Sequence, residues 1–192
     1  MMQKYQTIIF IVLLFIVGLV IFSCSDDRAQ KIIEQEQELY TVLGVEDTGL
    51  NFVNKVEETT TMNGFYYEYF YNGGGVAVAD FNNDGLQDVY FISNLRTNKL
   101  FLNLGNLKFR NVSVAANAQG NGGFPTGVTV VDINNDGLKD IYILKSGRFE
   151  TDEPLRNLLL INKGMNKDNI PVFEEDAKSY GLDLPHYSTQ AT

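Results

Sequence analysis

The chain has 192 residues and sets 24 Asp and Glu against 15 Lys and Arg, for a formal net charge of −9. That balance disfavours nucleic acid and anionic lipid surfaces as partners, because both recruit cationic protein faces. Seventeen Gly, four Pro and many Asn, with a single Cys and no Trp, suit one turn-rich all-β domain of modest core.

Met1–Ser23 reads as a targeting segment. Lys4 supplies a positive start, and Ile8–Phe22 is an apolar run, short for a membrane span of about 20 residues and typical of a signal-peptide core. The run ends at Ile21-Phe22-Ser23-Cys24, which resembles a bacterial lipobox: an aliphatic residue at −3, a small one at −1, then the Cys that is lipidated after cleavage. Phe22 departs from the usual small residue at −2. Cys24 is the only cysteine, so an internal disulfide is excluded and lipidation accounts for it. An uncleaved signal anchor is the rival reading, and either one exports the chain and holds it at a membrane. Ser25-Asp26-Asp27 resembles the acidic signal that sends some bacterial lipoproteins to the cell surface.

Residues 24–38 are polar and read as a solvated tether. Leu39–Val45 turns apolar and is expected to open the domain, 39–192, with a strand. Phe65-Tyr66-Tyr67-Glu68-Tyr69-Phe70-Tyr71 is the most aromatic stretch. It is expected to be a strand whose rings pack between neighbouring sheets, with a sugar-stacking platform as the alternative. Asn72-Gly73-Gly74-Gly75 reads as a tight turn with a close backbone approach; no Lys-Ser/Thr follows, so it is not a phosphate loop.

A nonapeptide then occurs twice, as Asp80-Phe81-Asn82-Asn83-Asp84-Gly85-Leu86-Gln87-Asp88 and as Asp132-Ile133-Asn134-Asn135-Asp136-Gly137-Leu138-Lys139-Asp140. Between Gly75–Phe91 and Gly127–Ile143, eleven of seventeen aligned positions are identical. Each copy is a short apolar run, a polar loop and a second apolar run, hence two strands joined by a loop and repeated. Side-chain oxygens stand at positions 1, 3 and 5 (Asp80, Asn82, Asp84; Asp132, Asn134, Asp136). A hard divalent cation asks for about six to eight oxygen ligands, and alternate side chains converge on it only if the backbone curls. Gly85 and Gly137 permit that curl. Leu86 and Leu138 are expected to give backbone carbonyls with their side chains packed inward, and Asp88 and Asp140 to close each cage. Three acids per loop suit a 2+ ion, so calcium at two sites is expected. An EF-hand is excluded because position 12 is Phe91 or Ile143, inside a strand pattern. The bland alternative is an Asx-rich hairpin turn that binds nothing.

The pattern D-x-N-x-D-G-x-x-D, preceded by Gly-Val-x-Val and followed by an apolar-Tyr-apolar strand, resembles the FG-GAP/VCBS repeat. Such repeats form β-propeller blades, including the calcium-bearing blades of integrin α-subunits. The flanks Asn72–Asp80 and Asn98–Asn103 are similar to bacterial VCBS proteins related to the cartilage acidic protein family. The Phe-Gly…Gly-Ala-Pro element of integrins is absent, so no integrin-like ligand surface follows. The resemblance implies four-stranded blades, one over about 72–120 and one over about 124–182. In the first, strands are expected at Lys99–Asn103 and Leu107–Phe109, around a turn at Gly105. In the second they are expected at Leu158–Asn162 and Val172–Phe173, around a turn near Gly164. Arg148–Arg156 is a charged loop and a candidate partner surface. Ser188–Thr192 aligns with Pro125–Thr129, the lead-in to loop two, so a third repeat is expected to start at 188–192. A closed propeller needs about four to eight blades, so the chain is expected to be the N-terminal fragment of a longer, seven-bladed-type protein.

These readings converge on a calcium-stabilised, non-enzymatic binding or adhesion module at the outer membrane or cell surface, lipid-anchored through Cys24, with an extracellular protein or glycan as ligand and no nucleic acid. A scaffold for a surface hydrolase, or an accessory subunit of a nutrient-uptake complex, is the alternative. No catalytic set is visible: His186 is the sole His, and the acids cluster by metal spacing.

Overall fold

The computed structural model describes residues 40–148 and 153–191. The targeting segment, Cys24 and the tether lie outside the described residues, as does the middle of the charged stretch Arg148–Arg156. Contacts divide the chain after Val42. Before that point Tyr40–Val42 are exposed and form no regular element; the unit from Leu43 onward carries the fold. Among the described residues no helix is long and apolar enough to cross a membrane.

The strand expected over 39–45 is not formed over 40–45. The chain instead closes a helical turn, α1 (Val45–Thr48), before the sheets begin. The Gly44 N–H donates to Asp47 Oδ2, and Gly49 leaves the turn at φ 79°. A local cap therefore wins over an apolar run that has no neighbouring strand to pair with.

Eight strands follow as two antiparallel meanders, β1-β2-β3-β4 and β5-β6-β7-β8. The first sheet comprises β1 (Val76–Ala79), β2 (Asp88–Phe91), β3 (Lys99–Asn103) and β4 (Phe109–Asn111). The second comprises β5 (Phe124–Val131), β6 (Asp140–Ser146), β7 (Leu158–Met165) and β8 (Pro171–Glu175). Four-stranded meanders of this kind are propeller-type blades, so the all-β, two-blade expectation holds. Two boundaries move. The turn after β3 occupies Asn106 and Leu107, both at positive φ, so β4 starts at Phe109 rather than Leu107. β7 runs through Gly164, and the turn falls at Asn166–Asn169. There the Asn166 carboxamide accepts the N–H groups of Asp168 and Ile170.

The core lies between the blades. Period-two alternation sends Ala77 and Ala79 of β1, Tyr90 of β2 and Leu100 and Leu102 of β3 to one face of the first sheet. They join Ile141, Ile143, Leu158, Leu160 and Phe173 of the second in one buried cluster. Each Leu, Ile or Phe among them contributes about 1.5–3 kcal/mol of hydrophobic stabilisation. The outer face of the first sheet is partly covered by the lead-in segment, where Phe52 stacks on Phe91 at 4.6 Å. Val76 and Val78 remain half-exposed there. The outer face of the second sheet is covered by the segment after β8, which brings Ala177 and Leu182 onto Leu159, Ile161 and Tyr142. The repeated Tyr does the same work twice: Tyr90 donates to Ala118 O and Tyr142 to Leu182 O. Burial holds the Tyr90 phenol well above its ordinary range.

The Gly-rich turn makes the close approach expected of it, since a Cβ on Gly74 would stand 2.2 Å from Ile92 O. The aromatic stretch departs from expectation. Residues 65–71 form successive turns rather than a strand. Tyr67 and Phe70 point inward onto Phe124, with ring centroids 5.3 and 5.9 Å away, while Phe65, Tyr66, Tyr69 and Tyr71 point outward. The buried rings are three residues apart, a spacing that belongs to turns and not to the alternation of a strand.

Candidate metal centres

Each acidic loop joins the first two strands of its blade, and the two are built alike. Asn83 and Asn135 sit at φ 55° and 58°, and Gly85 and Gly137 both at φ 87°. Asn tolerates the left-handed region and Gly adopts it without strain, which is why these residue types recur there. The Asp84 and Gly85 N–H groups donate to Asp80 Oδ1 (3.1 Å) and Oδ2 (2.8 Å). In loop two the Asp136 and Gly137 N–H groups reach Asp132 Oδ1 and Oδ2, each at 3.0 Å. Position 3 donates to position 5, Asn82 to Asp84 at 2.9 Å and Asn134 to Asp136 at 2.8 Å. The position-5 carboxylate accepts the N–H of position 7, Leu86 or Leu138.

Asp88 and Asp140 close the loops from the floor, each with no exposed surface. Asp88 accepts the N–H groups of Phe81 (2.9 Å) and Asn103 (2.8 Å), and Asp140 those of Ile133 (3.0 Å) and Asn162 (2.8 Å). Burial pushes Asp88 up to about 6, against the pull of those two N–H donors and with the help of the Asp84 and Asp80 charges. Asp140 is raised for the same reasons, burial first, with Asp136 and Asp132 adding to it. Positions 1, 3, 5 and 9 are thus gathered around each loop. The Leu side chains depart from expectation: Leu86 is exposed and Leu138 half-buried, because the curl that aims backbone groups inward turns these side chains out.

Asn82 Oδ1 decides whether the first loop suits a cation. It is the one buried side-chain oxygen or nitrogen among the described residues without a hydrogen-bond partner. A buried carbonyl oxygen left unpaired costs about 1–3 kcal/mol, and a hard cation is one partner that would relieve it. In loop two Asn134 is exposed and its Oδ1 accepts the Asp136 N–H. Among the described residues no three His, Cys, Asp or Glu side chains gather closely enough to hold a metal by themselves. A full donor set here therefore needs the Asn oxygens and the backbone carbonyls of Leu86 and Leu138 as well. Carboxylate oxygens that already accept one N–H keep further lone-pair capacity.

Two residues that sequence reasoning left out complete the sites. Asn103 ends β3 and Asn162 lies within β7, and besides their N–H bonds to the floor carboxylates both use their side-chain oxygen and nitrogen. Asn103 donates to Gln87 O and accepts from the Gly105 N–H. Asn162 donates to Phe81 O at 2.9 Å, accepts from the Gly164 N–H, and so ties loop one to the second blade. The signal was present as Asn-x-Gly after an apolar run in both repeats. Phe81 itself is fully buried, edge-on to Phe173 at 6.1 Å.

The family model described as FG-GAP-like repeat matches residues 80–143, from the first residue of loop one through loop two and into β6. No curated protein matches the chain. Repeats of this family generally serve as binding or scaffold units of the β-propeller type. The segment that carries both acidic loops is thus similar to the FG-GAP-like repeat family.

Proposed function

We propose that the chain is a calcium-stabilised, non-enzymatic binding module, exported and displayed on the outer membrane or cell surface through a lipid on Cys24. In this reading Asp80, Asn82, Asp84, the Leu86 carbonyl and Asp88 hold one ion. Asp132, Asn134, Asp136, the Leu138 carbonyl and Asp140 hold the other. Calcium would supply compensating positive charge to three carboxylates per loop and fix the end of one strand to the start of the next. The observation that carries the reading is the unpartnered, buried Asn82 Oδ1 inside a donor set built twice. The role is structural because the ligands bridge two strands of one blade and leave recognition to other surfaces. Ion binding is then folding free energy.

Thermal unfolding in calcium, in magnesium and in chelator tests this. An ion at a hundredfold excess over its Kd adds about 2.7 kcal/mol per site, which for a chain of this size is on the order of 5–10 °C each. A calcium-specific rise of that order is expected. An identical melt in calcium and in chelator would leave the loops as plain turns.

A further inference from the structure

β5 and β6 carry the acidic loop at one end; at the other, about 25 Å away along the strands, the turns of residues 62–71 border two adjoining cavities. One, of about 930 Å³, is walled in part by Lys55, Glu57, Arg96, Tyr66 and Arg148. The other, of about 690 Å³, lies against Phe65, Tyr66, Glu68, Tyr69, Arg148 and Tyr187. Tyr66 and Arg148 line both and so form the ridge between them.

The rings there are exposed and stand on a braced backbone. Phe65 is fully exposed and Tyr66, Tyr69 and Tyr187 at least half so. Beneath them Tyr67 donates to Ser146 Oγ (3.0 Å) and packs edge-on to Phe124. The Asn63 carboxamide accepts the Phe65 and Tyr66 N–H groups and donates to Thr59 O. A ligand meeting them has little backbone ordering to overcome. Charge adds a second constraint: in a chain of net −9, the described walls of the larger cavity set Lys55, Arg96 and Arg148 against one acid, Glu57. Glu57 pairs with Lys55 and, at 3.3 Å, with Arg96. Arg148 gives one N–H to Tyr66 O at 3.3 Å, and a guanidinium has five to give.

We infer that these two cavities bind an acidic glycan, a chain of uronate sugars. A pyranose ring presents a flat C–H face to Tyr66 or Tyr69, and its carboxylate pairs with Arg148, Arg96 and Lys55. Glu68, Ser146 and Thr189, on the walls of the smaller cavity, supply partners for sugar hydroxyls. An acidic peptide would satisfy the cations but has no rigid apolar disc for the exposed rings. Volumes of 300–1,000 Å³ are those of ordinary ligand pockets. The inference rests on the reading of the chain as a binding module and names its ligand class.

The test uses the full chain in detergent, titrated with a β-1,4-linked glucuronate hexasaccharide, with cellohexaose (its neutral counterpart) and with hexaglutamate. Binding is followed by calorimetry and by tyrosine emission, which no Trp obscures. Arg148→Gln and Tyr69→Ala, both far from the acidic loops, are compared with the parent after their melts are shown to be unchanged. The hexauronate is expected to bind, and each substitution, or loss of the carboxylates in cellohexaose, to weaken binding about tenfold. No binding by a chain that melts cooperatively overturns the glycan site and leaves the calcium-bearing module standing. Hexaglutamate binding as tightly as the hexauronate, unaffected by Tyr69→Ala, also overturns it and makes the site one for acidic peptide. Shortened sugar products would support the site while refuting the non-enzymatic reading.

Discussion

Replacing Asn162 by alanine should cost far more than the same change at its counterpart Asn103, although both residues brace an acidic loop. Asn162 is buried, and its carboxamide bonds to Phe81 O at 2.9 Å and to the Gly164 N–H at 3.0 Å, with a weaker contact to Lys139 O at 3.4 Å. Phe81 has no exposed surface, so no water replaces the lost donor. A buried group stranded in this way costs about 1–3 kcal/mol, and the second, half-buried group at Gly164 adds a smaller amount. The sum is about 3 kcal/mol, a large share of the stability of an ordinary domain. Asn103 donates instead to the carbonyl of exposed Gln87, where water substitutes, so about 1 kcal/mol is expected there. Urea denaturation in excess calcium, with the slope of the transition held in common, measures both. Equal losses for the two variants would refute the claim that loop one is tied to the second blade through Asn162.

Gly74→Ala places a methyl 2.2 Å from Ile92 O and should destabilise by about 2–3 kcal/mol in the same assay. At Gly73 nothing lies within 4 Å of a Cβ, and only its φ of 80° opposes a side chain, so alanine there should cost about 1–2 kcal/mol. Tyr67→Phe removes the bond to buried Ser146 Oγ and should lose about 1 kcal/mol with the ring packing on Phe124 intact. For pH, Asp88 is raised to about 6 and Asp140 is raised as well, both chiefly by burial. In chelator the native state therefore holds these protons more tightly than the unfolded state does. Their contribution favours folding at low pH and is lost as pH rises, for Asp88 through about 6. Melts in chelator should accordingly fall in temperature from pH 5 to pH 7, and excess calcium should reverse the trend; a rise with pH in chelator would contradict the burial of these carboxyls.

The parts of the fold legible in the sequence are those where backbone geometry demands particular residue types. Left-handed positions at Asn83, Gly85 and their repeats, and acids at alternate positions, leave a pattern that an unrelated loop does not reproduce. The alternation around Val78, Tyr90 and Ile143 likewise marks strands that face a core on one side. The aromatic stretch was misread because composition favours a strand, whereas the structure follows the three-residue spacing of Tyr67 and Phe70 and the turn held by Asn63. Leu39–Val45 was misread over its described part because an apolar run needs a neighbouring strand to become one, and the cap from Asp47 closes a helical turn first. The bracing by Asn103 and Asn162 depends on which carbonyl each reaches across the sheet, a tertiary fact that residue spacing does not carry.

Calcium titration of the full chain by calorimetry, beside Asp84→Ala and Asp136→Ala, tests the central claim most directly. Two sites are predicted in the parent, with each variant losing its own site and keeping the other. A parent that takes up no calcium, or a stoichiometry that neither substitution changes, would contradict the assignment of these loops as metal centres.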